Sequence, residues 1–126
     1  MSDATAPRDD ASAGLPRAYM RPFLLLLLAE APSYGYDLLD QVRTLGVRAA
    51  EPGGLYRALR SMDEDGVVTS WWEPSQSGPA RRLYVITDAG RADLDRFIAD
   101  LRELRLLMDF ALTRYSQLRQ QAPPTP

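Results

Sequence analysis

From Leu94 to Leu118 the apolar residues Leu94, Phe97, Leu101, Leu104, Met108, Ala111, Tyr115 and Leu118 recur at intervals of 3, 4, 3, 4, 3, 4 and 3. That is heptad spacing, which holds one stripe of a helix against a partner. A helix over residues 89–118, capped at Thr87 or Asp88, runs roughly 45 Å at about 1.5 Å per residue. A chain of 126 residues has room for one domain, and such a domain is too short to cover the whole stripe. The spacing therefore predicts a homodimer whose interface holds Leu94, Phe97, Leu101, Leu104, Met108, Ala111 and Tyr115. Ile98 and Leu112 widen the stripe enough to meet the helix's own domain as well.

The remainder divides into short elements. Residues 1–19 are rich in Ala, Asp, Ser and Pro and lack a helical stripe, so they are expected to form a mobile arm. No basic start precedes an apolar run there, which argues against a signal peptide. Phe23 to Ala29 is the most apolar stretch, but its seven residues fall far short of the about 20 that span a membrane. It reads as a helix buried on nearly all sides, with Pro22 in its first turn and a stop near Pro32. Ser33 is expected to cap a second helix, Tyr34 to Leu45, whose stripe is Leu38, Leu39, Val42 and Leu45. Gly46 stops it. Pro52 opens a third helix with Leu55, Leu59 and Met62 inward, and Gly66 ends it. On the helical wheel Arg57, Arg60 and Glu64 lie opposite that stripe, with Tyr56 on its flank.

Beyond Gly66 the period changes from helix to strand. Val67 to Glu73 is β-branched and aromatic, Pro74 to Pro79 is turn chemistry, and Arg81 to Thr87 alternates, with Leu83 and Val85 on one face and Arg82, Tyr84 and Ile86 on the other. Three helices followed by a polar-tipped hairpin give a mainly α chain: a winged helix-turn-helix over residues 20–87 and a long C-terminal dimerisation helix over 88–120. A proline-rich tail, residues 121–126, is expected to lack structure.

Composition removes most catalytic chemistry. The chain has 15 arginines and no lysine against 17 acids, and neither Cys nor His. It therefore has no thiolate or imidazole nucleophile system and no Cys/His metal set, so no cofactor or metal is expected. Asp63, Glu64 and Asp65 cluster at a helix end, where acids are commonly solvated, so an enzyme is not expected. Absence of cysteine fits a reducing compartment, and the expected location is the cytoplasm.

Three blocks carry a resemblance: SYGYDLLDQV (Ser33 to Val42), PGGLYRALRSMDEDGVV (Pro52 to Val68) and RRLYVITDAGRADL (Arg81 to Leu94). In order and spacing, over about residues 20–118, they resemble the PadR family of transcriptional regulators, in its shorter subgroup with a single C-terminal helix. The resemblance implies a dimeric winged-helix repressor of a palindromic operator, released by a small aromatic or drug-like effector. Two positions depart from the pattern. Ser33-Tyr34 stands before Gly35-Tyr36 where a His is common, and Gly54 replaces the usual Thr before Leu55-Tyr56, which removes one hydroxyl from a phosphate contact.

The residues themselves point the same way. A helix opening on Pro52-Gly53-Gly54 exposes amides with no side chain in the way, a terminus that favours a phosphate oxygen. Arg57 and Arg60 project from the exposed face towards guanine edges or phosphates; the alternative is that they are solvated and paired with Asp63 and Glu64. Ser33, Tyr34 and Tyr56 are further candidates for DNA contact, whereas Tyr36 is expected to pack in the core with a polar tip. The hairpin tip, with Ser77, and the pair Arg81 and Arg82 at its base read as a wing along the backbone; adjacent strand residues point oppositely, so at most one arginine is expected to face DNA. Trp71, Trp72, Phe97, Met108 and Phe110 are candidates for lining an effector pocket. Residues 20–87 hold seven arginines and eight acids, so there is no basic footprint and specific binding must rest on placement. That balance also permits the competing reading, a winged-helix protein-interaction module without DNA binding. Pairing through the last helix would set two recognition helices about one DNA turn, roughly 34 Å, apart.

Overall fold

The structure, a computed structural model, describes residues 17–47 and 50–121. Of the expected arm and tail, residues 1–16 and 122–126 lie outside the described residues, while Arg17–Tyr19 form a 3-10 turn. Helix α1, Met20–Glu30, carries Pro22 in its first turn, where the missing amide breaks no helical bond. Its leucine run is buried at Leu24, Leu25, Leu27 and Leu28, so it packs against neighbours on several sides. After Pro32 come strand β1, Ser33–Tyr34, helix α2, Gly35–Leu45, and helix α3, Pro52–Glu64. Gly46 and Gly66 follow the two helices at φ of 127° and 79°, the left-handed region open to glycine. Strands β2, Val68–Glu73, and β3, Arg81–Ile86, form the expected hairpin, and helix α4 runs from Asp88 to Gln121.

The expected start of the second helix is corrected. Ser33 does not cap a helix starting at Tyr34; Ser33 and Tyr34 pair with Tyr84 and Leu83 as β1. Tyr34 is the N-cap of α2, extended at φ −83° and ψ 151°, and makes no side-chain capping bond. The sheet is therefore three-stranded and antiparallel in the order β1-β3-β2. Across the hairpin Val68 faces Ile86, Ser70 faces Tyr84 and Trp72 faces Arg82.

The chain divides into two compact units after Leu94. In the first, α1 packs on α2, α3 and β3. Leu24, Leu28, Leu38, Val42, Leu55, Leu59, Met62 and Val68 are almost wholly removed from water there. Burial of each such leucine contributes about 1.5–3 kcal/mol relative to exposure. Leu94 belongs to this core as well. That corrects its expected place in the dimer seam: burial within its own unit leaves no side-chain surface for a partner. In the second unit the helix exposes Met108, Leu112, Tyr115 and Leu118 along the seam, and Leu106, Leu107 and Phe110 outside it.

Thr87 joins the sheet to α4. Its hydroxyl donates to the Gly66 carbonyl at 2.6 Å and accepts the Gly90 amide at 3.1 Å, while its own amide donates to the Val67 carbonyl at 3.1 Å. Thr87, rather than Asp88, is thus the side-chain cap. The same junction brings Gly90 against the Val67 carbonyl and Ile86 Cγ1, where an added Cβ would collide with backbone. Gly90→Ala is expected to destabilise the fold by about 1–3 kcal/mol, the usual range for overpacking, read as a lower midpoint in urea unfolding.

Candidate nucleic-acid interface

Helix α3 buries Leu55, Leu59 and Met62, which turns Arg60 and Glu64 outward and sets Tyr56 and the half-buried Asp63 on the flank of that stripe. The face of β3 that carries the buried residues Tyr84 and Ile86 also carries Arg82. Between these elements and the start of α2 lies a cavity of about 740 Å³. It is bordered by Gly35 and Tyr36 of α2, Tyr56, Arg60, Asp63 and Glu64 of α3, and Trp72, Ala80, Arg81, Arg82 and Tyr84 of the hairpin. Gly35 lets the α3 tyrosine approach: a Cβ there would stand 2.6 Å from Tyr56 Cε1.

At the opening of α3, Glu51 is the N-cap and makes no side-chain capping bond. The Gly53 and Gly54 amides of the first turn have no acceptor within the helix. A Cβ at Gly53 would lie 3.3 Å from one terminal nitrogen of Arg57, and one at Gly54 3.8 Å from the other. The guanidinium therefore folds back over the glycines and adds a full charge where amides and helix dipole already favour an anion. Among the described residues neither Arg57 nor Arg60 enters an ion pair with Asp63 or Glu64.

The wing arginines are held differently. Arg82 Nε donates to Ser70 Oγ at 2.9 Å, and Ser70 Oγ donates to Asp63 Oδ2 at 2.8 Å. Arg82 Nη2 stands 3.8 Å from the same carboxylate oxygen, and its guanidinium lies 5.4 Å from the centre of the Trp72 ring. Arg81 stacks over the Tyr34 ring at 4.1 Å. Both arginines border the cavity although they alternate on the strand.

Tyr34 in turn donates its hydroxyl to Glu73 Oε1 at 2.7 Å, and Trp71 Nε1 donates to Glu73 Oε2 at 3.2 Å. The hydrogen bond to Glu73 pushes the Tyr34 hydroxyl above the ordinary phenol range. The bonds from Tyr34 and then Trp71 hold the Glu73 carboxyl below the usual glutamate range. Burial raises the Tyr84 hydroxyl as well.

The structure gathers Tyr56, Arg60, Arg81 and Arg82 around one cavity and sets Arg57, Gly53 and Gly54 together at the end of the same helix. Ser77 is exposed in the turn between β2 and β3, its carbonyl accepting the Ser75 hydroxyl at 3.3 Å. Other expected sites differ. Ser33 is 8% exposed and its hydroxyl accepts the Gln41 amide at 3.3 Å, so it is turned inward. The Tyr34 hydroxyl is engaged by Glu73 and is not offered to a phosphate. Tyr36 does not pack in the core but is 72% exposed, because on the helix it lies outside the stripe of the buried Leu38, Leu39 and Val42. Of the five residues expected to line an effector pocket only Trp72 borders this cavity, while Trp71, its neighbour on β2, is bonded to Glu73. The alternative pairing of Asp63 with Arg57 or Arg60 is not seen among the described residues; Asp63 pairs with Arg82 instead, and Glu73 is a partner of Tyr34 and Trp71 that spacing along the chain does not indicate.

Comparison with known proteins agrees with this geometry. The profile of the family described as "Transcriptional regulator PadR-like family" matches residues 24–96. The transcriptional regulator Rv3488 of Mycobacterium tuberculosis is 35% identical over 88 residues, which cover 70% of this chain and 80% of that protein. The probable transcriptional regulator Rv1176c of the same organism is 34% identical over 79 residues, 61% of this chain, but the match spans only 42% of that relative's length. Among solved structures, a PadR family transcription regulator from Clostridium difficile R20291 superimposes with a TM-score of 0.69 at 26% identity, over 75% of this chain and 98% of the other. A putative transcriptional regulator from Thermoplasma acidophilum gives 0.68 at 29%, over 77% and 93%.

The Glu73 bonds can be read directly. Because the folded carboxyl is held low, the Tyr34 and Trp71 contacts are complete above the ordinary glutamate range and are lost as the pH falls through the lowered folded value. The Trp71 indole N–H resonance is expected to titrate below the ordinary glutamate range, and Glu73→Gln is expected to abolish that step.

Proposed function

Because the chain belongs to the PadR-like family of transcriptional regulators, we propose that it is a homodimeric repressor that reads a palindromic operator in double-stranded DNA. The family and the matched relatives are regulators of transcription, not enzymes. No described helix is long and apolar enough to cross a membrane, and the place of action is the cytoplasm. The observation that carries the reading is the outward face of α3. It presents Arg57, Arg60 and Tyr56 with the two glycine amides at one end and the arginine-bearing hairpin at the other. Helix α3 enters the major groove, Arg60 reaches base edges, and Arg57 with the Gly53 and Gly54 amides holds a phosphate. Arg81, Arg82 and Ser77 follow the adjoining backbone as the wing.

Dimerisation runs through Phe97, Leu101, Leu104, Met108, Ala111 and Tyr115. The exposure of Met108, Leu112, Tyr115 and Leu118 on one stripe of α4 supports it, since unpaired apolar stripes of that length mark an interface. A small aromatic or drug-like effector, bound near Phe97, Met108 and Phe110, relieves repression by favouring a dimer whose reading helices no longer match the operator.

The test is selection of bound sequences from random duplexes at low salt. The expected product is one inverted repeat with half-sites about 10 base pairs apart; failure to enrich any sequence would overturn the reading in favour of a protein-interaction module. On the selected site, Arg60→Ala is expected to weaken binding by about 1–3 kcal/mol and relax specificity, and Arg57→Ala to reduce the salt slope by about 1. Leu101→Asp is expected to give a monomer by light scattering with no operator affinity; a dimer would show that the seam is misassigned.

A further inference from the structure

Two acids adjacent in sequence, Asp63 and Glu64, border the same cavity as Arg60, Arg81 and Arg82. Elementary electrostatics treats them alike, since each places a negative charge beside a surface that must approach phosphates. Their surroundings are not alike. Asp63 Oδ2 accepts the Ser70 hydroxyl at 2.8 Å, that hydroxyl accepts Arg82 Nε at 2.9 Å, and Arg82 Nη2 closes the triangle at 3.8 Å from the same oxygen. Helix α3, strand β2 and strand β3 each contribute one corner. Glu64, one residue on, makes no ion pair or hydrogen bond among the described residues.

We propose that Asp63 is a positioning residue for DNA reading: with Ser70 it presets Arg82 of the wing in one orientation relative to the recognition helix, whereas Glu64 only opposes the approach of DNA. The inference rests on the DNA-reading function proposed above. Its physical basis is preorganisation. An arginine loses considerable rotamer freedom when it is immobilised at an interface, and one already held by a hydrogen bond to Ser70 and an ion pair with Asp63 loses less on binding. Trp72, with its ring 5.4 Å from the guanidinium, limits the remaining freedom from the strand side. The held arginine keeps outward donors, because Nε and one terminal nitrogen face Ser70 and Asp63 while a guanidinium carries five N–H groups. An isolated acid such as Glu64 supplies none of this and contributes repulsion alone.

The consequence is an opposite response to the same loss of charge. Affinities are measured by fluorescence anisotropy on the selected inverted repeat and on a scrambled duplex of equal length and composition. Glu64→Gln is expected to tighten both DNAs by a similar factor. Asp63→Asn is expected to weaken the selected site about tenfold, equivalent to about 1.4 kcal/mol, while the scrambled duplex binds as well as before or better. Ser70→Ala, which leaves the charge unchanged, should lower the ratio of selected to scrambled affinity in the same direction, and Asp63→Glu should restore part of it. Loss of folded protein would lower both affinities together and leave their ratio unmoved, so the ratio separates positioning from stability. Should Asp63→Asn tighten both DNAs as Glu64→Gln does, or leave the ratio unchanged, the positioning role is overturned while the wild-type protein still reads its site. If the wild type selects no sequence at all, the DNA-reading function itself fails.

Discussion

The register of strand β3 is the constraint on which the reading face depends. The strand is paired on both edges, to β1 at Tyr84 and Leu83 and to β2 along its whole length. Tyr84 and Ile86 are thereby set into the core, and Arg82, two residues before Tyr84, falls on the same side. A slip of one residue would exchange every inward for every outward side chain, withdrawing Arg82 from Ser70 and Asp63. Burial of two large side chains therefore fixes where a surface charge sits. The two-residue strand β1 has a part in this: by pairing with the free edge of β3 it brings Tyr34 beneath Arg81 and links it to Glu73.

This arrangement gives a unit with eight acids and seven arginines over residues 20–87 a few arginines in fixed places. Three of the eight acids in residues 20–87 are held by specific partners. Asp65 pairs with Arg21 at 2.8 Å at the start of α1, Asp63 holds Arg82, and Glu73 engages Tyr34 and Trp71. Arg57 and Arg60 remain outside these pairs. Charge is thus divided between Arg21, paired at the start of α1, Arg82, held in one orientation on the wing, and Arg57 and Arg60, unpaired among the described residues, a distinction that net charge does not register. For the DNA reading proposed above, the overall balance predicts weak sequence-independent attraction, with selectivity resting on the few positions where charge is held.

Much of this was legible in the sequence, and the limits have physical causes. Helices α2 and α3 were readable because apolar residues recur with helical period and Gly46 and Gly66 stand where backbone with positive φ is needed, and α1 because its leucine run is bounded by Pro22 and Pro32. The hairpin was readable from β-branched and aromatic residues around a Pro- and Gly-containing turn. β1 was not, since two residues carry no period and Ser33 has the chemistry of a helix cap as readily as of a strand. Pairing of β1 with β3 buries Ser33 and brings the Tyr34 hydroxyl to Glu73, whereas Tyr36 is exposed because it lies outside the buried stripe of α2. Leu94 was misassigned for a related reason, because heptad spacing marks an apolar stripe without saying where one unit's core ends.

The sequence by itself determined the elements, the apolar stripes that bury them, the exclusion of cysteine and histidine chemistry, and the blocks that mark the family. These properties are local, being set by period, propensity and residue type within a few turns of chain. The partners of the arginines were decided only by tertiary structure. Asp63 and Arg82 are 19 residues apart and Tyr34 and Glu73 are 39 apart, and neither pairing follows from any spacing along the chain. They arise because a buried core sets the register of β3, and a strand held in register carries its polar side chains to fixed places.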